Sequence, residues 1–371
     1  MRLKNGNHLM YCLNIHPGES WEENFAAIQD YALKVKATIC ANQAFALGLR
    51  LSANAARDLI PKLQFFKNFL LQNDLYVVSI NGFPYGLFHG AVIKKNVYLP
   101  DWDSSLRVSY TLDLIKILSN LLPEGEIGTI STLPCHYGKI VKPSTIDNLL
   151  YVKAYLADIE KKSGKHIILS LEPEPACYLD SLDSTLTFFN TLYSIDESAR
   201  RYLGVCLDTC HIALEFESPL VWLKKLTHAA IPLQKIQISA APSAEVSQKN
   251  PQKDSQNIFG CFDEKHYLHQ TSVLSSGEIF KFSDLSDALE SAPAGQWRVH
   301  FHVPLSWFRN NIYSTALLIE DDFIKQTYLR KKMHFEIETY AYWVLPGAKK
   351  SIVDSITSEI QWVLKKFPYL R

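Results

Sequence analysis

The segment LGVCLDTCH, residues 203–211, decides how this chain folds. Residues 203–207 carry no charged side chain, which is typical of a parallel β-strand covered by helices on both faces. Asp208 and His211 follow where the predicted strand, residues 203–208, ends. In barrels of parallel strands, the side chains at these ends form the functional face. The segment therefore predicts a buried strand that leads into a functional site.

Similar apolar runs recur along the chain, separated by longer segments with helical spacing of apolar residues. Their starts mostly lie about 30 to 40 residues apart, which is close to the length of one strand-helix unit. The alternation predicts an α/β fold with a parallel sheet. Besides residues 203–208, the predicted strands are residues 9–15, 45–51, 75–80, 127–133, 166–172, 233–239, 298–303 and 334–340.

Residues that typically begin and end helices support this assignment of alternating strands and helices. Ser20 and Glu23 have the spacing of a capping box, and Ser52 is placed to cap the next helix. Pro143 opens a later helix that Gly164 closes just before the fifth strand. We therefore expect helices between the strands.

Eight such units close as a (β/α)8 TIM barrel, and nine predicted strands are one too many. We assign residues 298–303 to an elaborated connection between barrel strands seven and eight. The same connection contains residues 241–257, which are polar, lack an apolar period and are predicted to form a mobile loop. The prediction is a single TIM-barrel domain spanning residues 1–371.

Composition narrows the class of partner. The chain has 38 basic and 38 acidic residues, and 47 % of it is hydrophobic, as in a globular protein with a large core. A formal net charge of zero argues against attachment to nucleic acid or membranes by bulk positive charge. We therefore expect a small-molecule partner and do not expect nucleic acid.

The cellular compartment is predicted from cysteine and apolar content. Seven cysteines, an odd number in a chain this long, indicate reduced thiols. The N-terminus does not resemble a secretory signal, and no stretch reaches the roughly 18 apolar residues of a membrane span. We expect a cytoplasmic protein.

Acids and imidazoles follow the later strands, where a barrel has its functional face. Residues two apart share one face of a strand, so the outermost member of each pair is expected near the barrel mouth. Converging carboxylates repel one another unless a cation neutralises them, and a mixed oxygen and nitrogen set suits Mn²⁺, Mg²⁺, Co²⁺ or Zn²⁺. The residues concerned are Glu172, Glu174, Asp208, His211, Gln237, His300, His302, Glu336 and Glu338.

Polar residues also lie at or just after the first four strand ends. They are candidates to contact a polyol, phosphate or carboxylate of a substrate. Structural roles stay open, because NGFPYG (residues 81–86) can build a tight turn and a buried arginine can pair with a barrel carboxylate. These candidates are His16, Arg50, Asn81, His89 and His136.

The run GVCLDTCH resembles the sixth-strand metal motif of the xylose isomerase-like and apurinic endonuclease superfamily of TIM barrels. The chain more closely resembles the EboE family, whose members are encoded with a prenyltransferase-like membrane protein in a cluster linked to metabolite traffic. The resemblance runs from about Tyr11 to the C-terminal helix. Its motifs are NIHPGESW, GLRLSANAARDL, INGFPYGLFHG, VYLPDW, LEPEP, CLDTCH, WRVHFHVPL, IETYAYWVLP and SIVDSI.

The superfamily resemblance implies a metal held by Glu172, Asp208 and Glu338, with Gln237 at a position that is usually histidine. In the isomerases and epimerases of the superfamily, the two metal-bound glutamates also move protons. The resemblance implies these roles for Glu172 and Glu338, and Glu174 is an alternative to Glu172. The full predicted ligand set is Glu172, Asp208, His211, Gln237, His302 and Glu338, and the predicted substrate contacts also include Glu174 and His300.

Three functions remain open. The first is metal-dependent isomerase or epimerase chemistry on a small hydroxycarbonyl compound. The second is a zinc phosphodiesterase of the endonuclease IV type, against which the neutral charge and Gln237 stand. The third, which rests on the EboE resemblance, is a metabolite-binding or handover protein beside a membrane prenyltransferase-like partner.

Overall fold

A computed structural model describes residues 1–89, 92–140, 142–347 and 351–370. Its strands form two separate sheets. The strands are β1 (His8–Tyr11), β2 (Phe45–Arg50), β3 (Leu75–Asn81), β4 (Ile127–Thr132), β5 (His166–Leu171), β6 (Leu203–Asp208), β7 (Leu233–Ile238), β8 (Pro242–Val246), β9 (Thr271–Ser275), β10 (Glu278–Phe282), β11 (Gly295–Val299), β12 (Phe308–Arg309), β13 (Ile312–Ser314) and β14 (His334–Ile337).

Helices follow most barrel strands, as the apolar period predicts. The first two are joined by one π-helical turn, Ile28–Ala32. The α-helices are α1 (Trp21–Ala27), α2 (Leu33–Ile39), α3 (Ala53–Leu59), α4 (Leu63–Gln72), α5 (Ser105–Leu121), α6 (Pro143–Ser163), α7 (Leu182–Ile195), α8 (Thr209–Leu214), α9 (Pro219–His228), α10 (Pro251–Phe259), α11 (Leu285–Ser291), α12 (Asp321–Tyr328) and α13 (Ile352–Lys366).

Among the described residues, eight parallel strands form the barrel in the order β1-β14-β7-β6-β5-β4-β3-β2. The ends of this sheet meet where Cys12 forms a parallel bridge to Gly48. Nearly all residues of these strands are buried, which explains their nearly continuous apolar sequence. The predicted (β/α)8 TIM barrel is confirmed.

The elaborated connection between the seventh and eighth barrel strands is also confirmed. In the fully described segment 239–333, six short strands form an antiparallel sheet in the order β10-β9-β11-β8-β13-β12. The predicted strand at residues 298–303 belongs to this sheet, but its hydrogen-bonded part is β11, residues 295–299. His300 and His302 therefore lie just beyond a strand end.

Residues 241–257 do not form the predicted loop. They contain β8, which pairs with β11 and β13, and most of α10. Asn250 caps α10 through its side chain, and Pro251 occupies the first turn. The helix buries little besides Phe259, which stacks on Trp297 at 5.5 Å, so its apolar period is too weak to show in the sequence.

The predicted helix caps are observed. Ser20 and Glu23 form a capping box at α1, and the Ser52 hydroxyl accepts a hydrogen bond from the Ala55 amide. Gly164 ends α6 with a φ of 70°. Within the described ranges, no helix has the length and apolar content needed to cross a bilayer.

The barrel interior below the strand ends holds a buried ion pair between Lys235 and Glu336. Both side chains are fully buried, and Lys235 also donates to the Ser131 hydroxyl at 3.0 Å. Gly48 leaves room for this pair, because a Cβ there would lie 1.8 Å from Glu336 Oε1 and 2.5 Å from the Tyr11 carbonyl oxygen. The closure of the barrel therefore requires glycine at this position.

We predict that Gly48→Ala lowers the free energy of unfolding by at least about 2 kcal/mol, since overpacking a filled core typically costs about 1–3 kcal/mol. Urea unfolding followed by circular dichroism measures the change. Gly86→Ala is the matched control, because nothing lies within 4 Å of a Cβ at Gly86. Equal stability of the two variants would show that the close approach at Gly48 is not real.

Candidate metal centre

Three carboxylates meet at the carboxyl end of the barrel. Glu172 follows β5, Asp208 ends β6 and Glu338 follows β14, and one oxygen of each lies within 4.8 Å of the others. Backbone hydrogen bonds extend the sheet to both glutamates, from Glu172 N to the Thr132 carbonyl and from Glu338 N to the Ile238 carbonyl. The group is therefore held by the sheet rather than by free loops.

Asp208 has one oxygen committed to the protein and one available. Its Oδ1 accepts hydrogen bonds from the amides of Cys210 (2.7 Å) and His211 (2.9 Å), and these two bonds cap the N-terminus of α8. The same oxygen also accepts a hydrogen bond from the Ser239 hydroxyl (2.6 Å). Its Oδ2 is buried without a hydrogen-bond partner. A buried carboxylate oxygen without a donor is the arrangement expected of a metal ligand.

Glu338 is oriented by two side-chain amides. The Nδ2 atoms of Asn14 and Asn81 donate to its Oε1 at 2.6 and 3.2 Å. These bonds fix the plane of the carboxylate and leave Oε2 free of the amides. Two asparagines from β3 and the segment after β1 therefore set the geometry of this ligand.

Burial and mutual repulsion act on the two glutamates. Burial, followed by the charges of Glu338 and Asp208, raises the pKa of Glu172 well above its usual range. Burial, followed by the charges of Asp208 and Glu336, does the same to the pKa of Glu338. A divalent cation among the three carboxylates would reverse both effects.

Three histidines lie beside the carboxylates. The His211 Nδ1 faces the Pro173 carbonyl at 3.0 Å, and the His302 Nδ1 faces the Glu338 carbonyl at 3.3 Å. The His300 Nδ1 faces the Gln270 Oε1 at 2.7 Å. Because these partners are acceptors, each Nδ1 carries a proton. The Nε2 of His302 presents a lone pair, and the Nε2 atoms of His211 and His300 are hydrogen-bonded to each other.

These Nε2 atoms are suited to bind a cation. The Nε2 atoms of His211 and His300 lie 3.1 Å apart, and the Nε2 of His302 is buried without a partner. Burial lowers the pKa of His302 to about 4 and that of His300 well below its usual value, so both rings are neutral at pH 7. Neutral imidazoles are the form that ligates metals.

The carboxylates and histidines form overlapping groups. Asp208, His211 and His302 have ligand atoms within 4.8 Å of one another, and so do Glu174, His211 and His300. Glu174 also accepts a hydrogen bond from the Tyr98 hydroxyl at 2.6 Å. The structure thus groups Glu172, and not Glu174, with Asp208 and Glu338.

Gln237 lies in the barrel interior beside the carboxylates. On the neighbouring strands it is opposite Asp208 and Glu336. It is fully buried, and neither its amide oxygen nor its amide nitrogen has a hydrogen-bond partner. The oxygen is available as a ligand, in keeping with the predicted role of this residue.

Only some of the predicted substrate contacts line the pocket above the carboxylates. Asn81, Glu174 and His300 do. Arg50 does not, because its guanidinium donates to the carbonyls of Gly18 (2.7 Å), Pro84 (3.3 Å) and Gly86 (2.7 Å). A buried arginine has to satisfy its donors, and these loop carbonyls do so.

The remaining predicted contacts are also turned away from the pocket. His16 stacks on Tyr31 with ring centroids 4.5 Å apart, and His136 stacks on Tyr178 at 5.4 Å. His89 lies behind the pocket wall, where its Nε2 donates to the carbonyl of Asn14 at 2.7 Å. These histidines support the loops around the pocket.

Sequence reasoning missed several residues that the structure brings to the site. Asn14 lies within the first predicted strand run, so the strand-end rule is sufficient to find it. Tyr98, Tyr267 and Gln270 come from a long loop and from the insertion, where no period indicates their position. Tyr340 follows Glu338 and packs on His302 at 4.5 Å.

The fold and these residues define a (β/α)8 barrel with a candidate divalent-metal centre. No family model matches the chain, and no curated protein matches it in sequence. Solved structures that resemble it include a xylose isomerase domain-containing protein from Salmonella typhimurium (14 % identity, TM-score 0.48, 99 % of both chains covered). A D-allulose 3-epimerase from Methylomonas sp. has 12 % identity and a TM-score of 0.49, over 99 % of this chain and 100 % of that one.

A third similar structure is a xylose isomerase-like TIM-barrel protein from Mycobacterium smegmatis in complex with magnesium. It has 12 % identity and a TM-score of 0.46, with 98 % of both chains covered.

We predict that Asp208→Asn and Glu338→Gln each lower the bound metal from near one equivalent to below about a tenth. Asparagine can still cap α8 through its amide oxygen, so the loss of charge and not of the helix cap is tested. Metal content of purified, dialysed protein is measured by plasma mass spectrometry after loading with Mn²⁺. Glu245→Gln, an exposed residue of β8, is the control and should keep the metal.

Metal affinity should weaken as pH falls. Because the pKa values of Glu172 and Glu338 are raised, the metal-free site holds protons that the ion has to displace. Linkage then predicts a change of up to about tenfold in Kd per pH unit for each proton displaced. Titration calorimetry in buffers of different ionisation enthalpy counts these protons, and a Kd that is independent of pH would contradict the assignment.

Proposed function

We propose that this protein binds a divalent metal ion through Glu172, Asp208 and Glu338 and transfers protons at carbon beside the carbonyl of a small hydroxycarbonyl compound. The reaction class is isomerisation or epimerisation. The observation that supports it is the meeting of these carboxylates at the base of a pocket, with Asp208 Oδ2 buried and without a donor.

A bound divalent ion polarises the substrate carbonyl and makes the neighbouring C–H bond more acidic. Glu172 and Glu338 both line the pocket, so either can exchange a proton with a molecule held there. The Glu172 side chain is 13 % exposed and that of Glu338 6 %. We assign proton removal and proton return to these two carboxyl groups.

The step balances without a redox cofactor. One carboxylate takes the proton from the carbon beside the carbonyl, and the electrons of the broken C–H bond move toward the carbonyl oxygen. Return of a proton to the opposite face of that carbon gives the epimer, and return to the former carbonyl carbon, with transfer of a hydroxyl proton, gives the isomer.

The types of donor atom at the site narrow the choice of metal ion. Carboxylate oxygens and the free amide oxygen of Gln237 favour Mn²⁺ or Mg²⁺. The nearby Nε2 atoms of His211 and His302 are also compatible with Co²⁺ or Zn²⁺. We propose Mn²⁺ as the first ion to test, because it accepts both kinds of donor.

The EboE resemblance adds a finer proposal about context. It supports a role in metabolite traffic beside a prenyltransferase-like membrane partner and in the cytoplasm. Its support is the series of sequence motifs alone, and the test is co-purification of the full chain with such a partner.

Exchange of substrate hydrogen with solvent tests the proposed chemistry directly. Hydroxyacetone is incubated in D2O with the Mn²⁺-loaded protein, and deuterium at carbon is measured by mass spectrometry. We expect exchange that chelation abolishes and that Glu172→Gln lowers by at least about 100-fold, the usual contribution of a general base.

Glu290→Gln, an exposed residue of α11, is the matched control for this experiment. Metal content is determined for each sample, so that loss of the base and loss of the ion are separated. Equal exchange in the wild type and in Glu172→Gln, or full exchange after chelation, would contradict the proposed function.

A further inference from the structure

We propose that the substrate is amphipathic, with a hydroxycarbonyl head at the carboxylates and an apolar or aromatic arm in the outer part of the pocket. The inference rests on the proposed function and adds the class of substrate. It is carried by the chemistry of the pocket walls, which differs between the strand ends and the loops that surround them.

The outer walls come from two places in the chain. The segment between β3 and α5 contributes Phe83, Phe88, Ile93 and Val97, and the insertion contributes Leu268. These side chains present carbon to the pocket. The strand ends, by contrast, contribute mainly carboxylates, amides and imidazoles, with Thr132 and Leu133 beside them.

Tyr98, Tyr267 and Lys94 bring polar groups to this part of the pocket, and each of these groups is bonded within the protein. The Tyr98 hydroxyl donates to Glu174 at 2.6 Å and accepts from the Gln270 amide at 2.9 Å. The Tyr267 hydroxyl is bonded to His89 Nδ1 at 2.5 Å.

Lys94 is the third of these polar side chains. Its ammonium pairs with Asp284 Oδ2 at 2.6 Å, which neutralises its charge. A polyol extending outward would therefore lose hydrogen bonds to water without gaining equivalent ones, whereas an apolar arm would be transferred out of water. The outer pocket walls therefore favour an apolar arm over a polyol.

The two walls are bonded to each other, which limits the loop ordering that ligand binding requires. The Ile93 amide donates to the His266 carbonyl at 3.0 Å, and the Lys94–Asp284 ion pair spans the same junction. Such contacts lower the cost of ordering the loops around an apolar group.

Two probes with the same head and different arms test the inference. Hydroxyacetone has no arm, and 1-hydroxy-4-phenylbutan-2-one carries a phenyl group on a short chain. Their Kd values for the full-length, Mn²⁺-loaded protein are measured by titration calorimetry. We expect the phenyl compound to bind at least tenfold more tightly.

Substitutions in the outer pocket wall test where the apolar arm binds. Ile93→Ser and Leu268→Ser should each reduce the preference for the phenyl compound at least threefold. Val92→Ser is the matched control, because Val92 is adjacent to Ile93 but 68 % exposed and does not line the pocket. Circular dichroism and metal content verify that each variant is folded and loaded.

The outcomes separate the two proposals. Equal Kd values for the two probes, or a preference that Val92→Ser lowers as much as Leu268→Ser does, overturn the amphipathic substrate and leave the proposed chemistry in place. Metal-loaded protein that binds neither probe overturns the hydroxycarbonyl function, and this inference with it. A preference that only the wall variants reduce supports the arm.

Discussion

The repulsion among three buried carboxylates is the constraint on which this site depends. Strands β5, β6 and β14 of a closed barrel place Glu172, Asp208 and Glu338, so the backbones of these residues cannot move apart to relieve it. Burial would raise the pKa of Asp208, but His211, His302 and the cap of α8 lower it, and this residue stays ionised. The pKa values of both glutamates shift in the opposite direction, and a divalent cation bound among the three carboxylates would offset the repulsion.

The rest of the molecule supports that arrangement from below and from above. Below the site, the buried pair of Lys235 and Glu336 fills the barrel, and Gly48 leaves the space for it. Above the site, the insertion between the seventh and eighth barrel strands supplies His300 and its partner Gln270. The insertion also completes the apolar wall, so one addition to the barrel shapes both ends of the pocket.

Periodicity and strand-end position were sufficient to predict the barrel, the elaborated connection and the residue types at its mouth. They could not decide between Glu172 and Glu174. Beyond the last backbone hydrogen bond between two strands, side chains no longer alternate between the two faces of the sheet. They misassigned residues 241–257, whose helix buries few apolar side chains. The guanidinium of Arg50 is bonded to loop carbonyls, which its place in the sequence does not reveal, and Gln270 carries no signal at all in the sequence.

The central claim is that a metal ion binds among the strand-end carboxylates. Anomalous diffraction from crystals of the full chain soaked in Mn²⁺ tests it most directly, because the signal locates the ion without reference to any substrate. The account predicts an anomalous peak in contact with oxygens of Glu172, Asp208 and Glu338. A peak coordinated only by the histidines, or no peak at the barrel mouth in protein that retains its fold, would contradict it.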